Sequence, residues 1–320
     1  RCINMAIKAF DKYFWNLPEL TREANFEKFW EKSIADIKKV SIEPEITENN
    51  KKSTSKFKAY NISYNGFLKA RIKGVLFVPK KHDRSRVIVH LHDYNRYPDK
   101  SIVKAISDKT AHLFLILRGH DIIENRTEEE LAQDKPLGFI VENIIDMETY
   151  YARSVYLDVY RSIDFLRLVN FIDCSKIGIY GKGFGAAAGF FTAVFSQRVG
   201  GIVMDSPLFC NLPLSQNISQ SDTSREINDI INVQKAKKGQ IKKNLTYFDI
   251  INFSHDIKCP ALFITGLKDT ISPPECVMGL FNNIQGEKTI EVYPDGGNEA
   301  GGEPQIIKAV NWLADLILEN

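Results

Sequence analysis

Residues 177–189 run Ile177-Gly178-Ile179-Tyr180-Gly181-Lys182-Gly183-Phe184-Gly185-Ala186-Ala187-Ala188-Gly189. The short apolar run predicts a buried strand, the alternate glycines at 181, 183 and 185 a tight turn, and the small residues after them a helix that packs close to the strand. Strand, sharp turn and helix is the setting in which a serine nucleophile is presented as G-x-S-x-G at the top of a sheet. The flanking glycines of that pattern are here, but Gly183 stands where the serine belongs, so nothing at the apex can attack a carbonyl. A residue at such an apex sits in a sparsely populated backbone region that costs about 1–3 kcal/mol when a Cβ is present, and glycine relieves most of this. A phosphate loop is the alternative for a glycine-rich turn, but the lysine-serine ending and the G-x-G-x-x-G spacing are both missing.

Outward from the turn, short apolar runs alternate with helical stretches. Val87–Leu91, Leu113–Leu117, Ile177–Tyr180, Ile202–Met204, Ala261–Thr265 and Thr289–Tyr293 predict strands. Helices are expected around 150–169, 184–196, 275–283 and 304–317. This alternation with β-branched buried runs predicts an α/β fold, a mostly parallel sheet covered on both faces, with its chemistry at the carboxyl ends of the strands. Upstream, Phe57–Tyr64 and Leu68–Val78 flank Asn65-Gly66, which predicts an antiparallel hairpin. Phe26, Phe29, Trp30, Ile34 and Ile37 recur at helical spacing, and the polar stretch 46–56 reads as a surface loop. The expected organisation is an N-terminal helical extension over 1–56 and a main domain over 57–320, with a polar, lid-like insertion at about 211–246.

The 320 residues are 44% hydrophobic and 26% charged, which excludes a disordered or fibrous chain. Forty-two Lys and Arg against 40 Asp and Glu give a net charge of +2, so no field favours nucleic acid or an anionic membrane, and a small-molecule ligand is expected. The apolar uncharged stretch between Lys182 and Arg198 is shorter than the roughly 18–20 apolar residues that span a bilayer. Five scattered cysteines without a C-x-x-C pair fit buried thiols in a reducing compartment, so a cytoplasmic location is expected. The chain starts at Arg1 without a basic-then-apolar leader pattern, and its start reads as trimmed.

Further motifs accompany the turn in order along residues 17–317: Gly74-Val75-Leu76-Phe77-Val78-Pro79, Asp93-Tyr94-Asn95, Arg118-Gly119, Asp205-Ser206-Pro207-Leu208-Phe209-Cys210, Gly266-Leu267-Lys268-Asp269 with Pro273-Pro274, and Tyr293-Pro294 before Asn298-Glu299. Together they resemble the acetyl xylan esterase and cephalosporin C deacetylase family, carbohydrate esterase family seven. The resemblance implies an α/β-hydrolase fold, hydrolysis of acetyl esters on short sugars, no cofactor, an acylated-sugar ligand and a ring-like homohexamer. It also implies that Asp269 is the triad acid and that the backbone amides of Tyr94 and Phe184 form the oxyanion hole. Three departures stand out: Gly183-Phe184 for the family's Ser-Gln, Asn298-Glu299 for its His-Glu, and Arg118-Gly119-His120 for its Arg-Gly-Gln.

An argument from chain order agrees. The triad runs Ser, Asp, His in α/β-hydrolases, and none of the six histidines (His82, His90, His92, His112, His120, His255) follows Asp269. Asn298 cannot replace the base, because its amide takes up no proton at neutral pH. Loss of nucleophile or base costs on the order of 10⁶ in kcat, so a catalytically impaired ligand binder or oligomer subunit is expected. The alternative is hydrolysis through a non-standard site. His90 and His92 alternate on one strand and share a face, and with His120, Asp93 and Asp121 they suggest a site that activates water, with or without a metal. In the same region a structural role for the histidines is the plainer reading. Phe184 plugging a closed cavity would indicate a purely structural subunit. Cys210 and Cys276 flank the expected pocket mouth, without a histidine beside either. Lys235–Lys243 reads as a solvated face of the insertion.

Overall fold

The computed structural model describes residues 13, 15–81, 83–96, 103, 106–120 and 138–319; Cys2, His82 and Asp121 lie outside them. Among the described residues one sheet carries β1 (Glu45–Glu48), β2 (Phe57–Asn65), β3 (Arg71–Pro79), β4 (Ser85–Leu91), β5 (Ala111–Leu115), β6 (Ile172–Lys182), β7 (Val199–Asp205), β8 (Ala261–Gly266) and β9 (Lys288–Tyr293). Their order is β1-β2-β3-β5-β4-β6-β7-β8-β9. The first three strands and the β3–β5 junction are antiparallel, and β5 through β9 run parallel.

Among the described residues eight α-helices accompany the sheet: α1 (Phe26–Lys38), α2 (Tyr151–Leu166), α3 (Gly183–Phe195), α4 (Leu212–Ile218), α5 (Asp222–Val233), α6 (Lys238–Leu245), α7 (Pro274–Asn283) and α8 (Gly302–Leu318). Alternation along β4 divides the core in two. Val87, Val89 and Leu91 face α1, α2 and α3, while Ile88 joins Tyr180, Val203 and Ile264 beneath α8. The sheet is therefore covered on both faces, which the long apolar strands require. Trp30 of α1 is fully buried and donates its indole N–H to Tyr247 O at 3.1 Å, so the N-terminal helix shares the main core. Among the described residues no helix is long and apolar enough to cross a membrane.

Three local expectations change. The polar stretch after residue 45 begins as an edge strand: β1 has all four side chains exposed and pairs with β2, which its composition conceals. Asn65-Gly66 does not form a two-residue turn, although Asn65 does pair with Arg71. The link 66–70 contains a single 3₁₀ turn with Leu68 at φ 54° and Lys69 at φ 60°, because Phe67 is buried and its amide is held at 2.6 Å by Asp158 Oδ1. Gly66 has an ordinary φ of −83°, and it is small because a Cβ there would lie 2.1 Å from Asp158 Oδ1. Finally, His90 and His92 do not share surroundings. β4 stops at Leu91, so strand alternation no longer governs His92.

His90 instead stacks on Phe114, ring centres 4.3 Å apart, and its Nε2 lies 3.0 Å from His112 Nδ1. The His112 Nε2–H points to Ser107 O at 3.3 Å, which leaves Nδ1 to accept from His90. Burial pushes His112 down to about 4 and His90 well below its ordinary value. The unfolded chain takes up a proton at His112 below about pH 6.5 and the folded chain does not, so stability falls with falling pH. Compared with His112→Gln, the parent should lose about 2 kcal/mol between about pH 7 and pH 5, measured by denaturant unfolding at each pH. A pH-independent difference would refute the assignment.

Candidate active site

β6 enters the sharp turn and α3 begins at Gly183, whose φ is +53°. That left-handed conformation is one reason for glycine at the apex. A second lies across the turn: a Cβ built on Gly183 would sit 1.8 Å from Asp93 Oδ1, 2.0 Å from its Cγ and 2.4 Å from its Oδ2. The space a nucleophile's side chain would fill is taken by a carboxylate from the loop after β4. Gly185 brings the two loops together, since a Cβ there would lie 2.3 Å from the His92 carbonyl. Backbone cannot yield to that approach, so only glycine fits.

This contact decides what the amides of Tyr94 and Phe184 do. Both converge on one oxygen: Tyr94 N–H donates to Asp93 Oδ1 at 2.7 Å and Phe184 N–H donates to the same atom at 2.8 Å. An oxyanion hole needs two such donors, about 2.7–3.1 Å from the oxygen that gains charge. Here the chain supplies that oxygen itself. Burial pushes the Asp93 carboxyl up, while the two amides, Lys182 and Arg96 pull it back. The Phe184 ring does not plug the site. It is fully buried, edge-on to Phe209 at 4.9 Å, and a cleft of about 390 Å³ lies open above, lined by Asp93, Tyr94, Asn95, Arg96 and Asn298 among others.

Asp269 and Asn298 are brought together. Asn298 Nδ2 donates to Asp269 Oδ2 at 3.1 Å, while Asp269 Oδ1 accepts from the amides of Ile271 and Ser272 at 2.8 and 2.9 Å. Burial pushes the Asp269 carboxyl up, and these three donors draw it down. Lys182, the residue before the apex, bonds the Asn298 carbonyl at 2.9 Å and Asp205 Oδ1 at 3.0 Å, fixing the Asn298 loop to the turn. No proton acceptor able to act as a base at neutral pH stands between Asp269 and the apex among these contacts.

His92 and His120 also meet, with ring centres 5.0 Å apart. Both His92 nitrogens are committed to backbone: Nε2 accepts from Leu117 N–H at 2.9 Å, so Nδ1–H donates to Asp93 O at 2.8 Å. His92 thus braces the loop that carries Asp93, with no ring lone pair left for a metal or a water. His120 Nδ1 lies 3.1 Å from Arg118 O. Among the described residues no group of three His, Cys, Asp or Glu is placed to hold a metal ion. Cys210 and Cys276 are buried beside a cavity of only about 10 Å³, and burial pushes both thiols up, away from the thiolate that a nucleophile requires.

The segment 211–246 is helical rather than merely polar: α4, α5 and α6 pack Leu212, Ile227, Ile231, Ile241 and Leu245 into the main core. Its lysines 235–243 are exposed. α5 reaches the donor loop directly. Tyr94 Oη donates to Glu226 Oε2 at 3.0 Å and accepts from Ile140 N–H at 3.1 Å, and Asn95 Nδ2 bonds Asp222. Ser221 caps α5 by accepting from Ser224 N–H at 3.1 Å; Ser221→Ala should cost about 1 kcal/mol in thermal unfolding.

Asp93 stands in the sequence beside the histidines and Tyr94, but its contact with both amides is not legible there. The sequence signal is a carboxylate directly before a donor residue, at the end of a strand neighbouring the turn. Only the fold shows that it curls back onto the next amide and across to one 91 positions away.

A sequence model of the acetyl xylan esterase family matches residues 1–316. A curated acetyl esterase of Xylanibacter ruminicola is 21% identical over 292 residues, which is 87% of this chain and 64% of that protein. This chain thus spans under two thirds of that relative's length. Among solved structures, an acetyl xylan esterase from Paenibacillus sp. R4 superposes with a TM-score of 0.86 at 25% identity, covering 96% of this chain and 99% of the other. Acetyl xylan esterase 1 from Thermoanaerobacterium superposes at 0.80 with 20% identity, covering 97% and 98%.

Proposed function

Given that this chain belongs to the acetyl xylan esterase family and has the family's α/β-hydrolase architecture, we propose that it is a non-hydrolytic member that uses the cleft over Gly183 to bind a small polar ligand. The observation that carries this reading is the Asp93 carboxylate on both amide donors above an apex without a side chain. Acyl transfer needs a nucleophile, a base and a place for the oxyanion. The first two positions hold Gly183 and Asn298, and the third holds a negative charge that repels a developing alkoxide. Binding needs none of the three, and the cleft of about 390 Å³ falls in the size range of small-molecule sites.

Asp269 acts in this reading as a structural acid that positions Asn298. The reading also places the protein in a reducing cytoplasm, supported by the buried free thiols of Cys174, Cys210, Cys259 and Cys276. The assembly it proposes is a homo-oligomer, implied by the family resemblance and open to light scattering. Purified protein incubated with 4-nitrophenyl acetate is expected to release 4-nitrophenol at the buffer rate, with or without a chelator. Turnover that His120→Ala removes would overturn the reading in favour of a non-standard hydrolytic site.

A further inference from the structure

We propose that the cleft has changed from a site for an acyl oxygen into a site for a protonated amine; the inference rests on the non-hydrolytic reading above. An ester carbonyl brings an acceptor to waiting donors. Here Asp93 Oδ1 already satisfies both amides, and what remains is Oδ2, which accepts no hydrogen bond among the described residues. It lies 2.4 Å from where the apex Cβ would stand, at the reacting position of a serine enzyme.

A second unused acceptor lines the same cleft, and a third is buried in its wall. Asn95 turns its Nδ2 to Asp222, and its Oδ1 is buried without a partner among the described residues. Asn298 turns its Nδ2 to Asp269, which leaves its Oδ1 unbonded among the described residues. A carboxylate oxygen and an amide oxygen at the cleft suit an ammonium group, which carries three donors, one positive charge and no acceptor. A hydroxyl offers a single donor and leaves the charge of Asp93 unanswered, and an anion is repelled by it. The chain's own ammonium beside the turn does not fill the place, because Lys182 is bound to Asp205 and to the Asn298 carbonyl. Arg96 lines the cleft as a cation and opposes such a ligand.

Titration calorimetry with glucosamine, glucose and N-acetylglucosamine tests this, since the three probes keep one ring and change only the group at one carbon. Glucosamine should bind about tenfold more tightly than either neutral probe, the scale of one charge-assisted hydrogen bond. Asp93→Asn keeps an oxygen for the two amides and puts a donor in place of Oδ2, so it should abolish the preference. Arg96→Ala, an exposed substitution remote from the core, should strengthen it. Equal affinities, no binding of any probe, or a preference that survives in Asp93→Asn would each overturn the proposal. Acetyl-ester turnover by the parent would defeat the non-hydrolytic reading instead, and it is measured independently of amine binding.

Discussion

Placing a serine and a histidine at the two positions marked by the family resemblance should leave hydrolysis unchanged: Gly183→Ser with Asn298→His is expected to hydrolyse 4-nitrophenyl acetate within about tenfold of the parent's rate, because the Asp93 carboxylate still occupies the amides of Tyr94 and Phe184. The new Cβ at position 183 would meet Asp93 Oδ1 at 1.8 Å and adopt a φ of +53°, so the double variant should also melt early. Strain of that kind costs about 1–3 kcal/mol before the clash is counted. Adding Asp93→Ala removes the clash and frees the amides of Tyr94 and Phe184 for an ester oxygen. A histidine at 298 inherits the Asp269 Oδ2 acceptor that Asn298 now uses at 3.1 Å, and its second nitrogen can serve the serine. The triple variant should exceed the double in kcat/KM by about 10³, since losing a single oxyanion donor already costs 10²–10³. A double variant as active as the triple would mean that Asp93 swings aside without cost, and the occupied amides would then give no reason for a non-hydrolytic site.

How far the sequence carried differs by element. The parallel strands were legible because burial on both faces leaves continuous apolar runs, and Gly183 announced its own backbone conformation. β1 was hidden: an edge strand with four exposed side chains needs no apolar residue. α5 has Ile227, Ile230 and Ile231 at helical spacing, but the surrounding polarity masked the stripe. Pairing His90 with His92 assumed a strand longer than β4 is. The family motifs pointed to Asp269 and Asn298, which the structure brings together, whereas the role of Asp93 had to be seen in space. Its role depends on where a short side chain points after the strand ends, and no periodicity encodes that.

Asp158 was equally invisible, a charged residue in the middle of a helix that would ordinarily face solvent. Its removal should be among the most damaging single changes to stability. It sits on α2 at 1% exposure, where Oδ2 accepts from Arg118 Nε at 2.8 Å and Oδ1 from Arg118 Nη2 at 2.9 Å and from Phe67 N–H at 2.6 Å. Burial pushes this carboxyl up, and the Arg118 fork and the Phe67 amide pull it back. The pair ties three pieces together: the link after β2, the helix α2, and the segment after β5 whose Arg118 carbonyl receives Tyr151 Oη at 2.9 Å beside His120. Asp158→Ala strands a largely buried guanidinium and an amide, so it should cost about 3–5 kcal/mol in chemical denaturation. The double variant Arg118→Met with Asp158→Leu leaves no uncompensated charge and should be more stable than Asp158→Ala alone. Buried ion pairs behave this way because desolvation consumes most of their attraction, so breaking one hurts more than replacing both. Additive losses in that cycle would show instead that each residue acts through packing alone.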